Sequence, residues 1–487
     1  MRFTQCNFAF WVPIPKRRRE GGPEITLTFC TVATGDRMEI KMKTGFARLC
    51  ITPPLGVSIS GYYETRKVKG VLDDLYVTAL ALDDGDKKAL IIAADLLMMS
   101  YKQCNEHKEA IGKATGISPD SILINCSHTH TGPFLNGERF GDETVCSEYV
   151  DEVAEKIVEV SKLAFADMKE SSFSVGGGKA ENVSFVRRFR MKNGHVSTNP
   201  GVDNPDVDHV LGTPNEEVKF LRIDREGGEG IVLVSFGTHA DTIGGELVSA
   251  DWPGFVRSTL ESALDNTKCI FMTASQGDVN HINTQPTEAD RRGLEYESFD
   301  GVPRGYDHAK HMGRVVAAAV LASYGKTRDV KVEKISFDNL EIAIPANSEN
   351  ERYDEALEIK KLHAAGRAHE LPYEKMELTT VVAEAYRIVE LYDGPTEFRF
   401  VLSGLSLGDV AFIGMPGECF VEIGRRIEAE SDFDTTFVCC LTNGGETYFP
   451  TSSAYDEGGY EARSSRLKKG GDNIVVENAI ALSKKLK

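Results

Sequence analysis

Cysteine pairs with CxxC spacing are missing from this sequence. Its ten cysteines are scattered over 487 residues without a CxxC, so neither a cysteine zinc site nor a thioredoxin-like motif has support. Several lie in apolar runs, where reduced cysteine behaves as a small hydrophobe. That points to a reducing compartment and to Cys439 and Cys440 as core residues on opposite faces of a strand. Long apolar runs are absent as well. The longest, around residues 315–322, falls far short of the roughly 20 residues that cross a bilayer, so no transmembrane helix is expected. Basic charge is scarce: 56 Lys and Arg stand against 74 Asp and Glu, a formal charge of −18, which repels a phosphate backbone or an anionic leaflet. Nucleic acid is not an expected partner. There is no repeat of fixed period, no heptad pattern and no low-complexity tract.

The N-terminus does not read as a secretion signal. Its apolar patch at 8–14 contains Pro13 and is followed by Lys16, Arg17, Arg18 and Arg19, which puts the positive charge on the wrong side. Residues 1–37 lack clear periodicity and read as a poorly ordered extension, leaving 38–487 as one large domain. With no signal and no span, the expected location is cytoplasmic.

What is there is an α/β pattern, mixed β-sheets flanked by helices. Strands are expected at 75–82, 89–94, 121–126, 217–223, 231–236, 269–274, 330–344, 398–407, 410–413 and 435–440. Helices are expected near 148–168, 253–264, 308–324, 352–365 and 374–391. The glycine-rich spots 176–178 and 227–230 read as turns.

Five polar clusters each follow directly on an expected strand: 127–130 (SHTH), 238–239 (TH), 277–281 (GDVNH), 417–418 (GE) and 443–448. Strand carboxyl ends in α/β sheets form one rim along which ligands bind, so these clusters are expected to make one site. On an extended segment His128 and His130 share a side, and His239 arrives from another strand. Three histidines from separate segments with the carboxylate of Glu418 are a plausible zinc set. Read singly, each histidine is more often a hydrogen-bonded surface residue than a ligand, and two in aligned context bring the readings only to about even. Arg187, Arg188 and Arg190 read as a solvated basic face, and Tyr448 as a packed tyrosine. Asp251 and Asp278 either orient imidazoles or cap helices. His107, His195, His209, His308, His311, His363 and His369 are expected at the surface without partners.

Residues 126–133 (CSHTHTGP) resemble the SHTHSGP segment of neutral ceramidases. In the same order, 236–242 (FGTHADT) with 249–252 (SADW), 276–279 (QGDV), 415–418 (MPGE) and 442–463 resemble further motifs of that family. The resemblance implies a zinc hydrolase with His128, His239, Glu418 and Tyr448 as metal ligands. It places His130 and Tyr460 at substrate-contacting positions and Arg187, or else Arg188, at the family's site arginine. The implied reaction is cleavage of an N-acyl amide, ceramide-like N-acylsphingosine to fatty acid and amine, by zinc-activated water. His130 accepts or donates a proton and Arg187 meets developing negative charge.

One departure matters. The family's GDVSP serine is replaced by Asn280, which leaves no hydroxyl at the aligned position: an obligatory serine nucleophile would mean lost activity, whereas metal-activated water needs none and can use Asn280 as a hydrogen-bond donor, the reading favoured here. A changed polar group also shifts substrate choice, so the alternatives are a small polar amide or ester as substrate, or a metal-binding homologue without activity. The chain ends about 27 residues after Tyr460, leaving no room for the C-terminal β-sandwich of many relatives.

Overall fold

Strands with both faces buried account for most of the apolar runs. The computed structural model describes residues 42–487 apart from 65, 136–145, 289, 292–294, 297–302, 374 and 446, so the expected extension 1–37 lies outside the described residues. Residues Ile40–Lys487 form one compact unit. Its larger sheet is built from β1 (Lys43–Cys50), β2 (Tyr76–Asp83), β3 (Lys88–Ala94), β4 (Ile122–Cys126), β5 (Lys169–Lys179), β6 (Glu217–Arg225), β7 (Gly230–Phe236) and β8 (Thr267–Thr273), with β9 (Arg328–Val330). The order is β8-β7-β6-β5-β1-β2-β3-β4, and β9 pairs with β5. A four-stranded sheet follows in chain order: β10 (Ile335–Pro345), β11 (Glu397–Leu407), β12 (Val410–Gly414) and β13 (Thr435–Cys439). The fold class is the expected mixed α/β.

The two sheets pack face to face. On β3, Ala89, Ile91 and Ala93 face a core shared with Leu405, Leu407, Phe412 and Phe437 of the second sheet, while Leu90, Ile92 and Ala94 face a second core. That second core takes in α1 (Tyr101–Thr115) and α2 (Ser147–Ala166). The period of two sends alternate residues to different cores, so the strand reads as continuously hydrophobic. On β7, Val232, Val234 and Phe236 turn to a third core with Trp252, Val256, Val316 and Val320, from α3 (Asp251–Ala263) and α4 (Tyr306–Ser323). Cys439 and Cys440 do fall in different cores, and the eight described cysteines form no disulfide.

The remaining helices are α5 (Tyr353–Ala364), α6 (Lys375–Tyr392), α7 (Val421–Glu430), α8 (Ser452–Glu457), α9 (Tyr460–Ser464) and α10 (Gly471–Leu486). α5 and α6 share a small core of their own around Ile359, Val382 and Ile388. No helix among the described residues is long and apolar enough to cross a membrane.

Two expectations are corrected. Residues 176–178 are not a turn: they lie inside β5, where a Cβ at Gly176 would meet the Phe220 ring at 2.4 Å and one at Gly178 the Ala319 carbonyl at 2.6 Å. Glycine there allows close packing, not chain reversal. The expected strand 330–344 is two strands, β9 and β10, belonging to different sheets.

Three parallel pairs position the chemistry. β3 and β4, β7 and β8, and β12 and β13 run parallel, and helices α1, α3 and α7 lie between their members in the chain. The two edge strands of the larger sheet meet, with Thr273 N donating to Asn125 Oδ1 (3.0 Å) and Thr273 Oγ1 to the Cys126 carbonyl (3.0 Å). β13 joins them as Cys440 N donates to the Thr273 carbonyl at 2.9 Å. The carboxyl ends of β4, β7, β8, β12 and β13 therefore converge.

Candidate metal centre

All five polar clusters leave the strands at that convergence. Backbone hydrogen bonds tie them together: His130 N to the Ala240 carbonyl (3.0 Å), His239 N to that of Val279 (3.3 Å), Gly277 N to that of Cys419 (2.7 Å) and Leu441 N to that of Gly417 (3.1 Å). Glu418 and Tyr448 pair across a two-residue parallel ladder.

The expected extended geometry of 128–130 does not hold. His128 has φ = 68°, a left-handed conformation uncommon outside glycine and characteristic of constrained sites. The rings of His128 and His130 still approach edge to face, 4.9 Å between centroids, and His128 and His239 lie 4.8 Å apart. Ligand atoms of His128, His130 and His239 all fall within 4.8 Å of one another. His128 and His239 are buried, and the His130 side chain is nearly so. Gly61, at φ = 110°, lets its backbone press on His130, since a Cβ there would stand 2.8 Å from the His130 Cα.

Protonation decides what this cluster does. His128 Nδ1 bonds to the carbonyl of Leu97 (2.9 Å), and His239 Nδ1 to those of Gln276 (2.9 Å) and Val279 (3.0 Å). Carbonyls only accept, so Nδ1 carries the proton in both rings. Burial and the nearby charge of Arg187 press the His239 imidazole down to about 4, so it is neutral at pH 7 and its Nε2 is a lone pair. Both Nε2 atoms converge on Glu418 Oε2, at 3.3 Å from His128 and 3.0 Å from His239. A carboxylate oxygen only accepts, so it brings no hydrogen to either nitrogen. His239 Nε2, Glu418 Oε2 and both ring nitrogens of His130 are buried without a hydrogen-bond partner. A cation held between the two rings and the carboxylate satisfies His239 Nε2 and Glu418 Oε2, and the imidazole and carboxylate donors suit zinc.

The flanking groups are equally ordered. His130 Nδ1 is 3.6 Å from Asp241 Oδ1, and burial presses the imidazole well below its ordinary value. Asp241 is paired with Arg304 (2.6 Å) and also accepts from Tyr62. Arg187 donates through Nε to Glu461 (2.6 Å) and through Nη2 to the Gly277 carbonyl (2.9 Å) and Tyr448 hydroxyl (3.2 Å). Burial pushes the Tyr448 and Tyr460 hydroxyls well above 10, and their rings meet edge to face at 5.9 Å.

His128, His130, Glu418, Tyr448 and Tyr460 line one cavity of about 340 Å³. Asn280 is not brought into its lining: the amide donates to Asn199 Oδ1 (2.9 Å) and its oxygen accepts from Ile282 N (3.0 Å). A larger groove, about 730 Å³, lies elsewhere, along β5, β6 and α7. Its Lys219 and Glu428 pair at 2.6 Å, and it contains none of the converging groups.

The basic run is not a solvated face, because Arg187 and Arg188 are both buried, held by Glu461 and Glu457 from the far end of the chain. Asp251 and Asp278 hold backbone N–H groups. Asp278 Oδ1 accepts from Val421 N at the start of α7 (2.8 Å), and Asp251 accepts from the backbone of Thr242, Ile243 and Trp252. Nor are the other histidines all partnerless: His308 packs its ring against His281 at 5.7 Å, and His363 bonds the Tyr386 hydroxyl at 3.1 Å. Glu461 and Asp241 stood in recognisable motifs without an expected role, whereas Tyr62 had no signal at all.

No family model matches the sequence. Among solved structures, the neutral ceramidase from Pseudomonas aeruginosa superposes with a TM-score of 0.67 at 18% identity, over 92% of this chain and 75% of that one. The fold is that of neutral ceramidase. A ceramidase complexed with C2 gives a TM-score of 0.66 at 16% identity, over 92% and 76% of the two chains. Identity at this level carries the neutral ceramidase fold, and the chemistry rests on the site itself.

Proposed function

We propose that this protein is a zinc-dependent hydrolase that cleaves an N-acyl amide bond. The observation that carries the reading is the meeting of the His128 and His239 Nε2 atoms and the Glu418 carboxylate in one buried spot. In this reading His128, His239 and Glu418 hold the metal and Tyr448 completes the set. A bound zinc supplies Lewis acidity, lowering the pKa of water toward about 7 and polarising a carbonyl.

The chain's own residues supply the rest. His130, neutral and without a hydrogen-bond partner on either ring nitrogen, takes a proton from attacking water and returns it to the leaving amine, steadied by Asp241. Arg187 keeps its charge beside the Tyr448 hydroxyl and favours negative charge there. Tyr460 orients the substrate, and Asn280 acts by fixing the segment behind His239 instead of contacting substrate. Catalysis through water needs no serine at position 280.

The ceramidase neighbours favour an amide, ceramide-like in the family pattern. The cavity favours a smaller and more polar one. It sits at the low end of the roughly 300–1,000 Å³ of ligand sites, and among the described residues the large apolar side chains lining it, beyond its tyrosines, are Leu97 and Met98. The test is metal content by mass spectrometry on wild type and His239→Ala, with turnover of N-acyl amides of graded chain length. About one zinc per chain, lost in the variant, with turnover of short amides, is the expected result. No metal in either protein, or turnover indifferent to chelation, overturns it.

A further inference from the structure

Among the described residues, the charged side chains lining the cavity apart from the histidines and Glu418 are Arg387 and Arg466. They are not equivalent. Arg466 forks onto Glu390, at 2.8 and 3.2 Å. Arg387, on α6, has carboxylates one turn away on either side, Glu384 at i−3 and Glu390 at i+3, the positions from which a helix ordinarily neutralises an arginine. Both are committed elsewhere: Glu384 to Arg352 (3.0 Å) and Arg463 (2.7 Å), Glu390 to Arg466. Among the described residues Arg387 makes one hydrogen bond, from Nη1 to the Arg463 carbonyl (3.1 Å), and no carboxylate pairs with it. A guanidinium has five N–H donors in a planar fork that matches oxyanions. Here most of them are left for whatever occupies the cavity, and the hydroxyls of Thr447 and Ser464 line the same space.

We infer that Arg387 is the receptor for an oxyanionic group on the substrate, a carboxylate or a phosphate, so that the cavity takes a small anionic N-acyl compound and discriminates against neutral amides. The inference rests on the hydrolase reading for the identity of the scissile bond, but not for the anion site. The experiment is ligand-observed NMR on the purified full-length chain with three N-acetyl probes: N-acetylglycinamide (neutral), N-acetylglycine (carboxylate) and N-acetylethanolamine phosphate. At least one anionic probe is expected to bind about tenfold or more tighter than the neutral one, as a charge-assisted hydrogen bond provides, and which one does so separates the two anions. Arg387→Gln erases the preference and Arg387→Lys keeps part of it. Equal affinities, no binding of either anionic probe, or a preference that survives Arg387→Gln overturns the inference. Acetate release in the same spectra and zinc content of the same samples separate the two readings. An Arg387-dependent preference without metal or hydrolysis sinks the hydrolase alone, and hydrolysis without preference sinks the anion site alone.

Discussion

His239 Nε2 faces Glu418 Oε2 across 3.0 Å with no hydrogen available between them. Two carbonyls hold the imidazole proton on the opposite nitrogen, and burial keeps the ring neutral. His128 Nε2 reaches the same oxygen at 3.3 Å. Such an assembly repels itself unless a cation or extra protons fill it, since buried acceptors need donors.

Glu418→Gln tests this directly. The amide keeps the shape, removes the charge and offers an N–H₂ to the imidazole lone pairs, so the metal-free variant is expected to be as stable as the metal-free wild type or more so. Zinc affinity is expected to fall by more than the roughly 10- to 100-fold that follows loss of a group that only orients a ligand. Competition titration with a chromogenic chelator measures the affinity. Thermal melts with and without zinc measure the linkage, which raises wild type and leaves the variant unmoved. Unchanged affinity removes Glu418 from the ligand set.

Arg187 and Glu461 are a buried pair, 2.6 Å apart, and Glu461 is fully buried. Arg187→Met leaves that carboxylate, among the described residues, with Arg188 and Thr198 as partners, and the expected loss of stability is about 3–5 kcal/mol. The double variant Arg187→Met, Glu461→Leu should recover much of it, because no uncompensated charge remains. Activity should stay low in both, since the charge beside Tyr448 is gone in each. Urea midpoints and turnover on the three proteins separate the structural from the chemical role.

The sheets were legible where burial on both faces writes an unbroken apolar run, as at 89–94 and 231–236. They were illegible where packing overrode composition, as at Gly176–178, whose turn-like composition serves contact with Phe220 and Ala319. The site divides in the same way. His128, His239 and Glu418 each follow a strand that ends at the convergence, so the chain order exposed them. The burial of Arg187 comes from Glu461, 274 residues away, and local charge density suggested the reverse. Arg387 sits on a helix that looks amphipathic and ordinary. Only the pairing of Glu384 and Glu390 with other arginines sets it apart, and pairing is a tertiary fact.

Asn280 separates water from serine as the nucleophile. Its amide is held by Asn199 and by Ile282 N, a buried pair of hydrogen bonds whose loss in Asn280→Ala should cost about 1–3 kcal/mol. Metal content should be unchanged and turnover should stay within about tenfold of wild type, a barrier change of no more than about 1.4 kcal/mol. Asn280→Ser should behave the same way and should form no acyl-enzyme detectable by mass spectrometry. A large gain of activity in Asn280→Ser would reinstate the hydroxyl as the missing nucleophile.

Asp251 makes stability depend on pH. Its carboxyl is buried at the first residue of α3, and burial pushes it up to about 7 from an ordinary 3.8, against the pull of the Trp252 and Ile243 N–H groups. A raised acid binds its proton more tightly in the folded state, so its contribution to stability is fully present below the unfolded value. That contribution declines as pH rises through the interval from about 4 to about 7 and is flat above it. Asp251→Asn cannot lose a proton. The difference in unfolding free energy, wild type minus variant, is therefore expected to fall by a few kcal/mol in all, at about 1.4 kcal/mol for each pH step of one within that interval. Denaturant melts of both proteins at closely spaced pH values measure it. A difference that stays constant across the interval would mean the three backbone donors hold Asp251 ionised throughout, and that its role is to anchor the turn at Thr242 and Ile243 by charge.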